Sequence, residues 1–494
     1  MKHLNASKTK KQTTVMKQTE SVTTENLETV SKQHRMKTTT KQSKTVKKAP
    51  ALTKVTPENS EIEKVLQWVE DATNNTPLVV CGEAGTGKST LMQRIGSIYK
   101  AQRKYFAMVA PTGVAAYNLG VDAKTIHSFF SLPPTTEVLH SPSNLQSVAR
   151  GYKLRQRLEK LELLIIDEIS MVRADLLDAI DFILRDVLDE SLPFGGLKVL
   201  LVGDVYQLPP ILQYHERKVF LEKYTSEFFF HSKVVMNAWQ NNPPFLLVEL
   251  LKNYRQEEGE FIQFLKRVRI NDMDELDLDY INERVTPLHT LDSEKFELLI
   301  AARKDAAQKY NDKMLSDIDA TLITHEAKIV NISRSFPKNM YPTDVTLKFK
   351  VGSQIMFVCN DEGKRWVNGT LGKILSVVKK GMLEVLTDRG EVVEVEVHRF
   401  EDTGIIDGKV VTMATFSQYP FQLAWAITIH KCQGLTFDNI NIDFCEGAFS
   451  CGMVYVALSR CRTFEGIKLV KRIFEEDIKV SSSLKNFKKY FKEL

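Results

Sequence analysis

Short apolar runs recur along the chain, each ending abruptly in glycines or charged residues. The first, Leu78-Val79-Val80-Cys81, reads as a buried strand between two helical patterns, Glu61–Asp71 before it and Leu91, Met92, Ile95 and Ile98 after it. Leu163–Ile166 and Val199–Val202 repeat the strand pattern. From about residue 245 it resumes with Phe245–Leu250, Leu298–Ala301 and Ile440–Phe444. Strands of four to six apolar residues separated by helical stretches predict an α/β fold with open parallel sheets. Between residues 345 and 410 the period changes to alternation: Val393, Val395 and Val397 interleave with Glu394 and Glu396, and turn signals stand at Lys380-Gly381 and Asp388-Arg389-Gly390. This stretch predicts a small β-barrel insert.

Charge changes the picture at the N-terminus. The whole chain of 494 residues carries +5, but residues 1–56 hold 13 Lys and Arg against 3 Asp and Glu, so the segment carries +10 and the remainder is mildly acidic. The segment has no aromatic residue and 13 threonines. It cannot bury enough apolar surface to offset chain entropy, which predicts disorder. Its single arginine and three glutamates are unlike a transit peptide, and it lacks the apolar core of a secretory signal. A solvated linker and a nucleic-acid or partner tether both fit it.

No later stretch approaches the ~18 apolar residues of a membrane span, so no membrane partner is expected. The six cysteines form no C-x-x-C pair and sit mostly in apolar runs, as small buried residues do. They predict an intracellular, reducing compartment. No signal separates nucleus, mitochondrion or a viral replication site.

The candidate chemistry sits at the strand ends. Gly82-Glu83-Ala84-Gly85-Thr86-Gly87-Lys88-Ser89 follows the first strand and opens a helix, which is G-x-x-x-x-G-K-[ST] in its strand–loop–helix context. Gly82, Gly85, Thr86, Gly87 and Thr90 would let backbone N–H groups close around a phosphate, Lys88 would reach the β and γ oxygens, and the Ser89 hydroxyl would join a magnesium ion. The strand Leu163–Ile166 ends in Asp167-Glu168, placing one carboxylate for the metal and one to polarise an attacking water. Together these residues predict hydrolysis of a nucleoside triphosphate with Mg²⁺. Gln207, just past the third strand, is placed to sense a γ-phosphate, and Arg255 and Arg460 are candidates for neutralising transition-state charge from a second lobe.

At this point the blocks are recognisable. GEAGTGKST (82–90), APTGVAAYNLG (110–120), TIHSFF (125–130), IIDEISM (165–171), PFGG (193–196), VGDVYQLPP (202–210), LLKNYRQ (250–256), TIHKCQGLTF (428–437) and VYVALSRC (454–461) resemble, in order, the PIF (petite integration frequency) family of DNA helicases, in the RecD-like branch of helicase superfamily one. VGSQIMFVCN (351–360) and VNGTLGKI (367–374) resemble the family's lead into its small barrel.

The resemblance implies two RecA-like parallel-sheet lobes: 57–240 with a small insert at 131–160, and 241–344 with 411–475. An SH3-like barrel at 345–410 and a C-terminal helix at 476–494, packed on the second lobe, complete the expectation. It implies ATP between the lobes, with Gly434 on the nucleotide side, and 5′ to 3′ movement of a monomer on single-stranded and forked DNA in replication, repair, recombination or genome maintenance. DNA contacts fall on Pro111, Thr112, Gly113, His127, Thr428 and His430. Phe129, Phe130 and Tyr206 are candidates for stacking on bases, and Arg150, Lys153, Arg155, Arg157 and Lys160 for one basic helix on the DNA backbone. An RNA helicase or non-unwinding translocase, and an ATP-switched tether, are the alternatives.

Two positions depart from the family. Thr56-Pro57-Glu58-Asn59-Ser60 stands where an adenine-reading glutamine is usual, leaving base selectivity open, and Cys432 replaces an alanine.

Overall fold

The computed structural model describes residues 60–494 except 121–122, 133–138, 242, 257–258, 287–295, 332–340, 362, 380 and 407–408. The basic segment 1–56 and the departure at Thr56–Asn59 lie outside the described residues.

The strand β1 (Leu78–Gly82) is buried along its whole length because it runs mid-sheet. Around it stand β2 (Phe106–Ala110), β3 (Lys124–Thr125), β4 (Leu163–Ile166), β5 (Lys198–Gly203) and β6 (Phe245–Leu250). With β21 (Phe491–Glu493) they form a seven-stranded sheet, ordered β21-β6-β1-β5-β4-β2-β3, in which every pairing is parallel. Alternate residues feed two cores. Val79 and Cys81 join the cluster containing Leu164 and Phe230, while Leu78 and Val80 pack with Trp68 and Ile95 on the other face.

The helices α1 (Ser60–Glu70) and α2 (Lys88–Ala101) cover that second face. Lys198 Nζ donates to the carbonyls of Trp68 at 2.7 Å and Asp71 at 2.6 Å, closing the end of α1. The helix α3 (Gly113–Leu119) follows β2, its Leu119 packing on the cluster of that same face, and α4 (Ile126–Phe130) follows β3 with Phe129 and Phe130 in the core of the other face.

The second lobe is a four-stranded parallel sheet of β7 (Leu298–Ala301), β18 (Ala426–Thr428), β19 (Ile440–Asp443) and β20 (Ile467–Leu469), ordered β18-β7-β19-β20. Between β7 and β18 lies the β module. Its five-stranded sheet holds β11 (Gln354–Phe357), β12 (Leu371–Lys379), β13 (Met382–Thr387), β14 (Val392–Glu396) and β17 (Phe421–Leu423). Beside it β8 (Ile323–Glu326) pairs with β10 (Thr346–Phe349), and β9 (Lys328–Asn331) joins the hairpin of β15 (His398–Ile406) and β16 (Lys409–Gln418).

Several sequence expectations are corrected. The β module is wider than 345–410: it starts by Ile323 and ends only at Leu423, because β17 pairs back onto β11. The first lobe does not stop at 240, since β6 pairs with β1 from Leu246 to Leu250. The segment 476–494 is not one helix on the second lobe. Ser482–Tyr490 is a kinked 3₁₀ segment, and β21 adds to β6 of the first lobe, Phe491 opposite Phe245. Phe487 and Tyr490, spaced to face one way, bury themselves beside Phe230 and pull the strand onto that edge.

The expected basic helix is also divided. Arg150 caps Pro142–Ala149, Gly151 interrupts, and only Lys153, Arg155 and Arg157 lie on Tyr152–Leu158, with Lys160 beyond it. Leu154 and Leu158 anchor that short helix in the first lobe's core.

Candidate functional site: an interlobe cleft and the groove beside it

The phosphate loop turns directly out of β1. Gly85 and Gly87 have φ of +89° and +83°, the left-handed region that a side chain disfavours, and a Cβ on Gly85 would come within 2.5 Å of Arg255 Cβ. Lys88 Nζ donates to the carbonyls of Gly82 at 2.8 Å and Glu83 at 2.7 Å, across the loop's mouth. Burial pushes its pKa down, while the charges of Asp204, Glu168 and Asp167 hold it up.

A cavity of about 300 Å³ opens in front of this loop. Gly85–Thr90, Asp167, Glu168 and Gln207 line it from the first lobe, and Gly434 and Arg460 from the second. Arg255 reaches it from the linker after β6. Gly82 sits behind, at the loop's base. The structure thus gathers the residues expected at the phosphates, Gly82 excepted, from positions up to several hundred residues apart, into one cleft.

The linker grips both sides. Tyr254 N donates to Gly85 O at 2.8 Å and Asn253 Nδ2 to Ala84 O at 3.1 Å, while Arg255 Nη1 donates to Ser459 O at 3.2 Å. Arg460 is 1% exposed, and its guanidinium donates to Val456 O at 2.8 Å and Ser459 Oγ at 2.7 Å. Burial first, then Arg460, pushes the Arg255 pKa down to about 9, and both side chains line the cleft. Two cations left this close want an anion between them.

Asp167 and Glu168 are half-buried at the cleft. Burial raises each carboxyl, and the charge of Glu168 raises Asp167 further, against the opposing pull of Lys88. A hard divalent cation held by oxygens would relieve that cost, and the Ser89 hydroxyl lines the same cavity, so this donor set fits magnesium. Glu168 itself has φ +49° and ψ +46°, a left-handed backbone that costs about 1–3 kcal/mol and turns its carboxylate into the cleft.

A second, larger cavity of about 1340 Å³ runs beside the cleft. Thr112, Thr428 and His430, three of the expected nucleic-acid contacts, line it, and Arg303, Lys304, Lys348 and Lys431 share its wall with Glu168, Asp305, Asp312 and Asp344. Pro111, Gly113 and His127 lie outside its lining, although Pro111 and Gly113 flank Thr112 in the chain. Burial depresses the pKa of both His127 and His430. Two stacking candidates are corrected: Phe129 and Phe130 are core side chains, 4% and 0% exposed, packed edge to face on each other. Tyr206 is engaged on its ring face by Arg269 at 4.2 Å and edge-on by Phe487.

The structure adds residues that the sequence did not single out. Tyr455 OH accepts from Ala84 N at 3.0 Å and donates to Asp204 Oδ2 at 2.9 Å, and Arg269 closes on Asp204 Oδ1 at 2.9 Å. Gln433 Nε2 donates to Glu168 Oε2 at 2.9 Å and Gln207 Oε1 at 3.2 Å. Asp204 and Gln433 could have been found by adjacency, being near neighbours of Gln207 and Gly434 within the same blocks. Arg269 lies in an amphipathic helix with no local signal.

Comparisons with known proteins follow the same geometry. A family model described as PIF1-like helicase matches residues 57–278, and a second, described as a helicase, matches 376–479. The ATP-dependent DNA helicase Pif1 of Bdellovibrio bacteriovorus is 33% identical over 392 residues, covering 79% of this chain and 83% of that protein. Pif1 from Bacteroides sp in complex with ADP-AlF4 has 33% identity and a TM-score of 0.71, covering 87% of this chain and 96% of that one. Bacteroides Pif1 bound to single-stranded DNA has 33% identity and a TM-score of 0.62 over the same shares.

Proposed function

The chain belongs to the family of PIF1-like helicases, and from that we infer an ATP-dependent DNA helicase that hydrolyses ATP in the interlobe cleft and moves 5′ to 3′ along single-stranded DNA held in the groove beside it. The single observation that carries the reading is the position of Glu168, which lines the phosphate cleft and the groove at once. One carboxylate faces both the reaction and the track.

Triphosphate in the cleft is cradled by the loop N–H groups at the start of α2 and by Lys88. Gln207, Arg255 and Arg460 receive the γ-phosphate from three directions, so binding draws the lobes together. Ser89 and Asp167 would hold magnesium, which supplies charge neutralisation for the phosphates. Glu168 takes a proton from water as the water oxygen bonds the γ-phosphorus, the bond to the bridging oxygen breaks, and ADP and phosphate leave. Loss of the γ-phosphate removes the anion between Arg255 and Arg460, and the lobes part. Alternating closure and opening moves a strand that Thr112 grips from the first lobe and Thr428 and His430 from the second.

Lys304, Lys348 and Lys431 supply sequence-independent backbone contact in the groove. A reducing compartment is part of the proposal, on the placement of the six cysteines mostly in apolar runs.

Strand separation of duplexes carrying a 5′ tail, a 3′ tail or RNA in the tailed strand, each with ATP and with GTP, tests the reading. The 5′-tailed DNA should be separated with ATP. Separation of the 3′-tailed duplex alone would reverse the polarity.

A further inference from the structure

Gln433 is 7% exposed and projects from the second lobe into the wall between cleft and groove. Its Nε2 holds Glu168 and Gln207 together, two first-lobe groups on either side of the expected γ-phosphate. Its Oε1 is fully buried and, among the described residues, accepts no hydrogen bond. An acceptor left unmet in a protein interior is costly, and such orphans are rare enough to require an explanation.

The segment carrying Gln433 supplies one. Lys431 N and Cys432 N both donate to Thr428 O, at 2.9 and 3.1 Å, and Cys432 Sγ is buried against Ile429 O, so Thr428–Gln433 is a single tight turn. Thr428, His430 and Lys431 present that turn to the groove, while Gln433 presents it to Glu168. A displacement of the groove side moves the carboxamide with it, because Cys432 fixes the turn in the core. The contact of Tyr455 with Asp204 and Arg269, by contrast, has no member in the groove lining.

We propose that Gln433 is a positioning residue for hydrolysis: DNA in the groove sets the turn, and the turn sets the Gln433 carboxamide so that Nε2 orients Glu168 while Oε1 accepts a hydrogen bond from the attacking water. The inference rests on the ATP-driven helicase reading and deepens it, since it names the residue through which the track reports to the reaction. A water between Oε1 and the Glu168 carboxylate satisfies the orphan acceptor and gives the water both a proton acceptor and a second anchor. The Nε2 bridge from Glu168 to Gln207 holds the base toward the sensor.

The test uses the full chain, wild type alongside Gln433→Met and Gln433→Glu, with folding checked by circular dichroism and thermal melting. ATP hydrolysis is measured across ATP concentrations with and without a saturating thymidine oligonucleotide, and oligonucleotide affinity by fluorescence anisotropy. Gln433→Met keeps the length and loses both polar atoms; its DNA-saturated kcat should fall at least about tenfold, with the KM for ATP and the Kd for DNA within about threefold of wild type. Gln433→Glu keeps the acceptor but sets a second carboxylate against Glu168, and should not rescue the rate. A DNA-saturated kcat within about twofold of wild type in both variants overturns the inference, as does a loss confined to KM. A wild-type chain with no DNA-stimulated hydrolysis overturns the helicase reading itself, and the wild-type arm alone reveals it.

Discussion

Tyr455 and Asp204 come from opposite lobes and meet in a 2.9 Å hydrogen bond shielded from water, while the same tyrosine oxygen accepts from Ala84 N of the phosphate loop. Arg269 on the second lobe holds Asp204 well below the ordinary carboxylate range, against the opposing cost of burial. The lobes are therefore joined at the back of the loop by a charged, fully bonded contact. Tyr455→Phe removes one hydroxyl, leaving Ala84 N and one Asp204 oxygen unmet, and should cost about 1–3 kcal/mol of stability in urea unfolding.

Lys88→Ala removes the cation that spans the loop's mouth between Gly82 and Glu83. ATP hydrolysis should fall to background at saturating DNA while the thermal melt stays close to wild type. Ordinary turnover in that variant would displace the phosphate site from this loop.

The C-terminal segment should prove essential to the first lobe. Phe487 is 2% exposed and touches Phe230, Tyr206 and Phe491. Phe487→Ala should cost about 3–5 kcal/mol in denaturant unfolding, through lost transfer energy and the cavity it leaves. The same change on the second lobe's surface would cost almost nothing, so the measurement tells the two placements of this segment apart.

Acid should loosen the same region. His231 has Nδ1 at 2.5 Å from Ser226 Oγ and Nε2 at 3.1 Å from Tyr490 OH. Burial, then Lys489, holds its pKa below the ordinary 6.5. Between the folded and unfolded pKa values the unfolded chain binds more protons, so this histidine's contribution is intact above about 6.5 and is lost as pH falls. His127 and His430 are depressed by burial and act in the same direction. The carboxyls of Asp167, Glu168 and Asp181, whose pKa burial raises, pull the other way, so the check is a difference: between about pH 7.5 and about 5.5 the melting temperature of wild type should fall more, or rise less, than that of His231→Gln.

What was legible in the sequence was what lies within one strand–loop–helix unit. β1 with Gly82–Ser89, and β4 with Asp167-Glu168, declare their chemistry locally because a parallel strand must end where its loop meets ligand. Arg255 and Arg460 were legible through the family's blocks. The partners they find, Ser459 O for one and Val456 O for the other, depend on packing and were not.

The placement of β21 beside β6 escaped for a related reason. Phe491 pairs with Phe245 across most of the second lobe, and no local period records which sheet edge a three-residue strand will join. Phe129 misled in the opposite way: an aromatic next to a nucleic-acid motif suggested stacking, but its neighbour Phe130 and Arg157 enclose it. Gln433 was visible as a letter in TIHKCQGLTF, but its contact with Glu168 joins residues 265 positions apart.

The most direct measurement of the central claim is strand separation of a 5′-tailed DNA fork by wild type and Glu168→Gln, with ATP, at equal occupancy of the fork. Wild type should separate the strands, and Glu168→Gln, which keeps the shape and loses the proton acceptor, should bind the fork but separate it at least about a hundredfold more slowly, with ATP turnover falling in step. Separation by Glu168→Gln at the wild-type rate would contradict the account.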